Sequence, residues 1–368
     1  MNINPFHPDF EKPATTDGLF SRDELRLANR NSGILLETLN LDITPTGAHY
    51  LLNHFDVPVI ADDDHQLTMN GAFDAPLTLS MDDIRAMPQV TEAVTLECAG
   101  NGREGVSPRS HLMPWMYEAV GTSEWIGTPL APLLERAKPH DNVQDYVFHG
   151  ADFGFDKGHP HHFARSLTPQ EIAELDVMLV WGMNGQPLLP QHGAPLRIIV
   201  PGWYGMASVK WLTGIEALTT RFNGYQQAHG YHYRAVADEP GVPITRILVK
   251  SLIRPPGVPD WVSRKRWVEA GLITLEGRAW SGGGISIAKV EVLADGQWKE
   301  AELTGAPGRY AWTGWRFDWQ AKPGDHVLKC RATDAEGNTQ PMESAFDVAG
   351  FGNNSVHSID VHVVDPAV

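Results

Sequence analysis

Thr95-Leu96-Glu97-Cys98-Ala99-Gly100-Asn101-Gly102-Arg103 is an apolar run that ends in a bend, with one of the chain's two cysteines at the junction. The alternation before it predicts a strand over residues 90–97. Glycines on both sides of Asn101 mark close backbone approach or positive φ rather than a packed strand centre. A free cysteine in a core behaves as a small hydrophobe. One at the mouth of a glycine bend, with Arg103 and Arg109 downstream, is placed to act as a thiolate, either nucleophile or soft metal ligand.

Outward from this motif, short apolar segments at 146–149, 177–180 and 196–200 read as strands, and 130–137 and 169–174 read as short helices. The loops between them are rich in glycine and proline, and binding residues concentrate on loops. Upstream, Ser21-Arg22-Asp23-Glu24 has the serine-to-glutamate spacing of a capping box and predicts a helix start.

Asp238-Glu239-Pro240-Gly241-Val242-Pro243 is a cluster of breakers that marks a boundary. Beyond it the helical pattern disappears. Residues 272–280, 288–293, 298–303, 312–319 and 326–333 read as strands, with Asp295-Gly296 as a hairpin turn, which is the pattern of a β-sandwich. Leu328, Cys330 and Ala332 share a face, so Cys330 is read as core, and Trp298, Trp312, Trp315 and Trp319 as core and interface filling.

Composition narrows the function. A net charge of -16 gives no electrostatic footprint for nucleic acid or anionic lipid, and an anionic ligand must be drawn in by a local cationic pocket. Two cysteines cannot build a disulfide framework, and no Cys-x-x-Cys-His is present for haem attachment, so electrons would leave to a separate partner. No stretch approaches a membrane helix in length. The start, Met1-Asn2-Ile3-Asn4-Pro5-Phe6-His7, has no basic or apolar leader, and the chain as written is expected in the cytoplasm; with an export signal trimmed away, it would be periplasmic.

A second informative region comprises Trp181-Gly182-Met183-Asn184-Gly185-Gln186-Pro187-Leu188, Gln191-His192-Gly193-Ala194-Pro195-Leu196-Arg197 and Pro201-Gly202-Trp203-Tyr204-Gly205-Met206-Ala207-Ser208-Val209-Lys210-Trp211. On its plainest reading it is a glycine-rich hairpin, a strand and an aromatic loop. His192, Arg197 and Lys210 nevertheless place donors around one apolar strand, as in sites that grip an anionic cofactor with a phosphate tail.

Together, the cysteine motif and these three segments resemble the molybdenum- and cofactor-binding motifs of the sulfite oxidase family, over roughly residues 45–345. The resemblance implies an α+β architecture: a mixed α/β molybdopterin-binding domain over 1–238, then an immunoglobulin-like β-sandwich dimerisation domain over 239–368. It implies molybdenum-molybdopterin as the cofactor; from the cysteine pattern, no haem is expected in this chain. Cys98 would be the one protein thiolate on the metal. Asn53, His54, Asp152, His192, Arg197, Ser208 and Lys210 would hold the pterin and its phosphate. Arg103 and Trp125 would line the substrate pocket. A homodimer, a small oxyanion substrate and an external electron acceptor such as a cytochrome complete the expectation.

Three departures bear on the substrate. Leu52 stands where sulfite oxidases carry an arginine, and Phe163 where they carry an active-site tyrosine. Arg165, two residues on, is the expected replacement charge, and Arg309 the expected arginine from the second domain. The runs around Phe163 and Tyr204 resemble the sulfane dehydrogenase branch. The expected reaction is oxygen-atom transfer, sulfite to sulfate. The alternatives are another sulfur compound, reduction of an oxide, or a homologue that binds cofactor without turnover. Gly158-His159-Pro160-His161-His162 reads as an ordinary polar loop at a pocket rim, and Asp62-Asp63-Asp64 as a solvated loop.

Overall fold

A computed structural model describes residues 27–365, so the capping box at Ser21 lies outside the described residues. The first half is built on one mixed sheet and one antiparallel sheet. One runs in the order Leu77–Ser80, Gln66–Gly71, Leu212–Leu218, Asp145–Asp156, His159–Leu167, with Gln66–Gly71 and Leu212–Leu218 parallel. The other places Val90–Glu97 at its edge, then Val120–Pro129 and Met178–Met183, onto which Gln186–Pro187 and Arg197–Ile199 pair. The last five residues of the edge strand, Ala93, Val94, Thr95, Leu96 and Glu97, are all buried, so the strand is covered on both faces just before Cys98.

The expected helices form over Ala131–Ala137 and Pro169–Glu174. The second starts where Thr168 accepts from the Glu171 amide and Glu171 reaches back, a capping box with proline in the first turn. A third, Met81–Arg85, is capped the same way by Ser80 and Asp83. The histidine run is not a loop: His159–Leu167 is a strand paired with Asp145–Asp156 across a tight turn at Lys157 and Gly158, both at positive φ. Among the described residues, no helix is long and apolar enough to cross a membrane.

The second half is a β-sandwich. A four-stranded sheet, Lys250–Ile253, Gly271–Trp280, Thr313–Ala321, Glu302–Gly305, faces a six-stranded one. In the latter, Arg266–Glu269 lies parallel to His357–Val364, while the pairs involving Gly324–Asp334 and Ile287–Ala294 are antiparallel. Asp295 and Gly296 both take positive φ, as the predicted hairpin requires. Val290, Val292, Trp315, Trp319, Leu328, Cys330 and Val361 fill the space between the sheets. Trp298 instead lies half-buried beneath Arg331.

The breaker cluster does not free one half from the other. His232–Tyr233 pairs with Val242–Pro243 across it. Ile244, Ile247, Leu252, Trp280, Trp312 and Phe351 belong to the same apolar cluster as Trp203, Tyr204 and Met206. The first core therefore extends through the boundary, which brings the second half against the cysteine loop.

Candidate active site

Cys98 leaves the strand Val90–Glu97 and enters a turn closed by Asn101 N–H to the Cys98 carbonyl (2.9 Å) and Arg103 N–H to the Gly100 carbonyl (3.0 Å). Gly102 sits at φ 93° and opens the short helical turn Arg103–Gly105. A Cβ on Gly100 would fall 2.3 Å from the Arg103 guanidinium, so this glycine is needed for the arginine to fold back over the loop. Burial pushes the Cys98 thiol above its ordinary value, against the pull of Arg103, the Gly100 backbone and the Trp115 indole. The expectation of a thiolate therefore fails for the protein alone: desolvation outweighs the nearby cation. A bound metal would reverse that balance, because a coordinating thiol is deprotonated outright.

Cys98 opens on a cleft whose wall includes His54, Asp152, His192, Arg197, Ser208 and Lys210, six of the residues singled out from sequence. Each is positioned by a different local device. Arg197, in the strand Arg197–Ile199, donates to the carbonyls of His192 (2.9 Å) and Ser208 (3.0 Å) and lies 4.9 Å above the Trp125 ring. Lys210 donates to the Leu52 and Gln191 carbonyls, each at 3.1 Å, and to Asn53. Asn53 thus acts behind the wall, tethering Lys210, while its own amide donates to Asn31 (2.8 Å). The Val200 amide donates to the Ser208 hydroxyl at 3.1 Å, fixing the turn between the two.

The electrostatics of this wall are one-sided. Burial holds Lys210 down to about 7, with Arg197 adding to the effect and Asp152 opposing it. Arg197 is held down to about 10, again by burial. His54 falls to about 4 through burial and then Lys210, and His192 to about 3 through burial, His49 and Arg197. Asp152 is pushed up to about 6 by burial despite Lys210. Among the described residues, Nε of Arg197 and Nε2 of His49 are buried without a hydrogen-bond partner in the protein. Buried cations crowded together, with unpaired donors and a single opposing carboxyl, call for an anion carrying several acceptor oxygens. With a sulfur at one end and cationic nitrogen donors at the other, the donor set fits a dithiolene-bound metal with a phosphate tail.

Other expected residues lie elsewhere. Trp125 does not line the cleft; it is fully buried beneath Arg197 and edge-on to His49, because its strand is interior to the sheet. Arg309 is well exposed and faces Asp176 at 3.4 Å, so it cannot serve as a pocket cation. Arg103 and Arg165 are buried beside the cleft rather than forked into it. Arg103 donates to the carbonyls of Ala349 (2.6 Å) and Met113 (2.7 Å), and Arg165 to that of Gln226. A ladder of rings joins them: Arg165 lies 5.5 Å over Tyr231, Tyr231 packs 5.3 Å from Phe351, and Arg103 lies 5.1 Å over Phe351.

Tyr231, His49 and Tyr50 line the cleft and were not found from sequence. Tyr231 is delivered by the helical turn Gln226–Gly230 and shares a 2.6 Å hydrogen bond with His54. Its only sequence signal is an aromatic flanked by Gly230 and His232 just before the breaker cluster. Leu52 and Phe163 line the same cleft, and the Phe163 ring packs 4.8 Å from that of His54.

Residues 54–226 match the family model of the oxidoreductase molybdopterin binding domain, and residues 242–364 that of the Mo-co oxidoreductase dimerisation domain. The chain is 32% identical over 349 residues to mitochondrial sulfite oxidase of Mus musculus, spanning 88% of this chain and 62% of that one. It is 29% identical over 358 residues to nitrate reductase [NADH] of Ulva prolifera, spanning 88% of this chain and 41% of that one. It thus spans less than two thirds of the length of these relatives. The sulfane dehydrogenase SoxCD from Paracoccus pantotrophus shares the fold, with a TM-score of 0.76 at 24% identity over 97% of this chain and 94% of that one.

Proposed function

The chain belongs to the sulfite oxidase family of molybdopterin-binding oxidoreductases, and from that premise we propose that it oxidises a small sulfur oxyanion, sulfite first, passing the electrons to an external acceptor. Bound in the cleft, the molybdenum cofactor would supply the two-electron oxygen-atom transfer that no side chain there can perform. The overall change balances as sulfite plus water giving sulfate, two protons and two electrons. The observation that carries the reading is the meeting of Cys98 with Arg197, Lys210, His192 and Ser208 around one cleft.

The division of labour follows from position. Cys98 would hold the metal, and Arg197, Lys210, His192 and Ser208 the phosphate end, with Asp152 limiting the positive charge next to Lys210. Tyr231 is the donor at the cleft nearest in role to the missing tyrosine, its hydroxyl fixed by His54. Arg103 and Arg165 lend positive potential from behind the Tyr231 and Phe351 rings, an arrangement that favours an anion without forking onto it. Met206, Trp211, Leu52 and Phe163 give the cleft apolar walls that exclude water and strengthen each of these interactions. The sandwich would carry pairing of two copies, as the dimerisation-domain match suggests.

Leu52 and Phe163 favour one second reading, a bulkier or less charged sulfur compound than sulfite, because they put apolar surface at the cleft in place of a cation and a hydroxyl. Turnover of molybdenum-replete protein with sulfite and a ferricyanide acceptor tests the first reading. Sulfate formed with two ferricyanides reduced per sulfite supports it. No turnover of sulfite in protein shown to hold the cofactor moves the assignment to the second.

A further inference from the structure

We infer that the second domain is a clamp on the cysteine loop, with Lys250 as the positioning residue. Glu97, the residue before Cys98, is fully buried, and so is Lys250 of the strand Lys250–Ile253. The Lys250 ammonium lies 2.5 Å from Glu97 Oε1 and also donates to the Asn101 carbonyl at 3.2 Å. It therefore ties together the two ends of the turn that carries the thiol. Asn101 donates to the same Glu97 oxygen at 3.0 Å, and the Trp280 indole, also from the second domain, donates to Glu97 Oε2 at 2.9 Å.

Three more bonds cross at the same place. Asn353 donates to the Gly102 carbonyl (2.7 Å), the Gly352 amide to that of Ala99 (2.8 Å), and the Thr95 amide to that of Tyr310 (2.9 Å). Every anchor is on the strand that precedes Cys98 or on the turn that follows it. A buried ion pair is expensive to desolvate, and an apolar pair of the same volume is often as stable. What Lys250 adds is geometry: one cation bonded to both ends of a turn that two glycines would otherwise leave loose.

This rests on reading Cys98 as the metal thiolate, and the test separates the two. Glu97→Gln with Lys250→Met removes both charges together, so no buried ion is left unpaired. Amide exchange of residues 98–103 is read by mass spectrometry in cofactor-free protein, with the strand at 326–333 as the internal reference. Exchange of 98–103 should rise about tenfold or more at nearly unchanged melting temperature, the reference staying protected. Molybdenum per chain after expression in molybdate-rich medium should fall several-fold, and Lys250→Arg should recover part of both. Unchanged exchange in 98–103, or equal loss of protection in the reference strand, overturns the clamp. Trp280→Phe gives the same comparison at lower amplitude if the double variant does not accumulate. Wild-type protein free of molybdenum would overturn the metal reading instead, with the exchange comparison still deciding the clamp.

Discussion

Cys98, just past the end of a strand, and Cys330, within one, are both buried free thiols, yet their surroundings differ in kind. Cys330 sits between the sandwich sheets among Val290, Val292 and Leu328, and burial pushes its thiol up to about 12, opposed only by a hydrogen bond with Ser251. Cys98 is raised by burial as well, but against it stand Arg103, a backbone bond from Gly100 and the Trp115 indole, with Arg197, Lys210 and His192 across the cleft. Depth alone does not distinguish a ligand from a core residue. Unspent donors and cations nearby do.

The sharpest way to break this comparison is Arg197→Ala. Its guanidinium holds the His192 and Ser208 carbonyls, keeps Nε buried and unpaired, and lines the cleft, so the variant should fold while losing most of its pterin, about tenfold or more in occupancy. Cofactor extraction and circular dichroism together check it. Full occupancy would show that the cationic wall serves something other than the cofactor.

Arg103→Gln should come next. Removing a buried cation behind the substrate side should raise the KM for sulfite about tenfold to a hundredfold with cofactor content held, since ~1.4 kcal/mol is a factor of ten. Arg309→Gln, by contrast, should leave KM unchanged, because that side chain pairs with Asp176 at the surface. Arg165→Gln sharpens the picture further: an effect on KM with cofactor retained would place both arginines in the anion field, whereas an effect confined to stability would leave Arg165 as support for Tyr231.

A smaller effect is expected from pH. His54 and His49 titrate at about 4 and His192 at about 3 in the folded protein, below the unfolded value of 6.5. The unfolded chain thus takes up protons first as pH falls, and stability conferred by these neutral rings is lost from about pH 6.5 downward. Asp152, raised to about 6, works the opposite way between pH 6 and 4, but it is one group against three. Cofactor-free protein should lose about 5–10 °C of melting temperature between pH 7 and pH 5, and cofactor-bound protein less, because a bound anion favours protonated histidines. Equal losses in both forms would mean that the anion does not face these rings.

Much of this contrast was readable in the chain. Period-two alternation and Asp295-Gly296 specify the sandwich strands, and the residues around Cys330 alternate cleanly. The cysteine and cofactor motifs lead directly to six residues of the cleft wall. What sequence could not supply was direction. Trp125 and the cleft residues come from neighbouring elements, and only the pairing of strands puts the tryptophan beneath Arg197 rather than on the cleft. Arg309 follows a motif spacing, yet the loop carrying it turns outward to Asp176. Tyr231 and Lys250 are far from Cys98 in sequence, and nothing local marks either as a neighbour of the cysteine loop. In the histidine run proline and glycine signal a loop, whereas Pro160 is accommodated in the strand His159–Leu167 beside the turn.

X-ray absorption at the molybdenum edge of wild type, Cys98→Ser and Cys330→Ser tests the central contrast most directly. One molybdenum per chain, with three sulfur neighbours in wild type and in Cys330→Ser but two in Cys98→Ser, is the predicted result. The same three-sulfur shell in Cys98→Ser, or no molybdenum in wild-type protein from molybdate-rich medium, would contradict it.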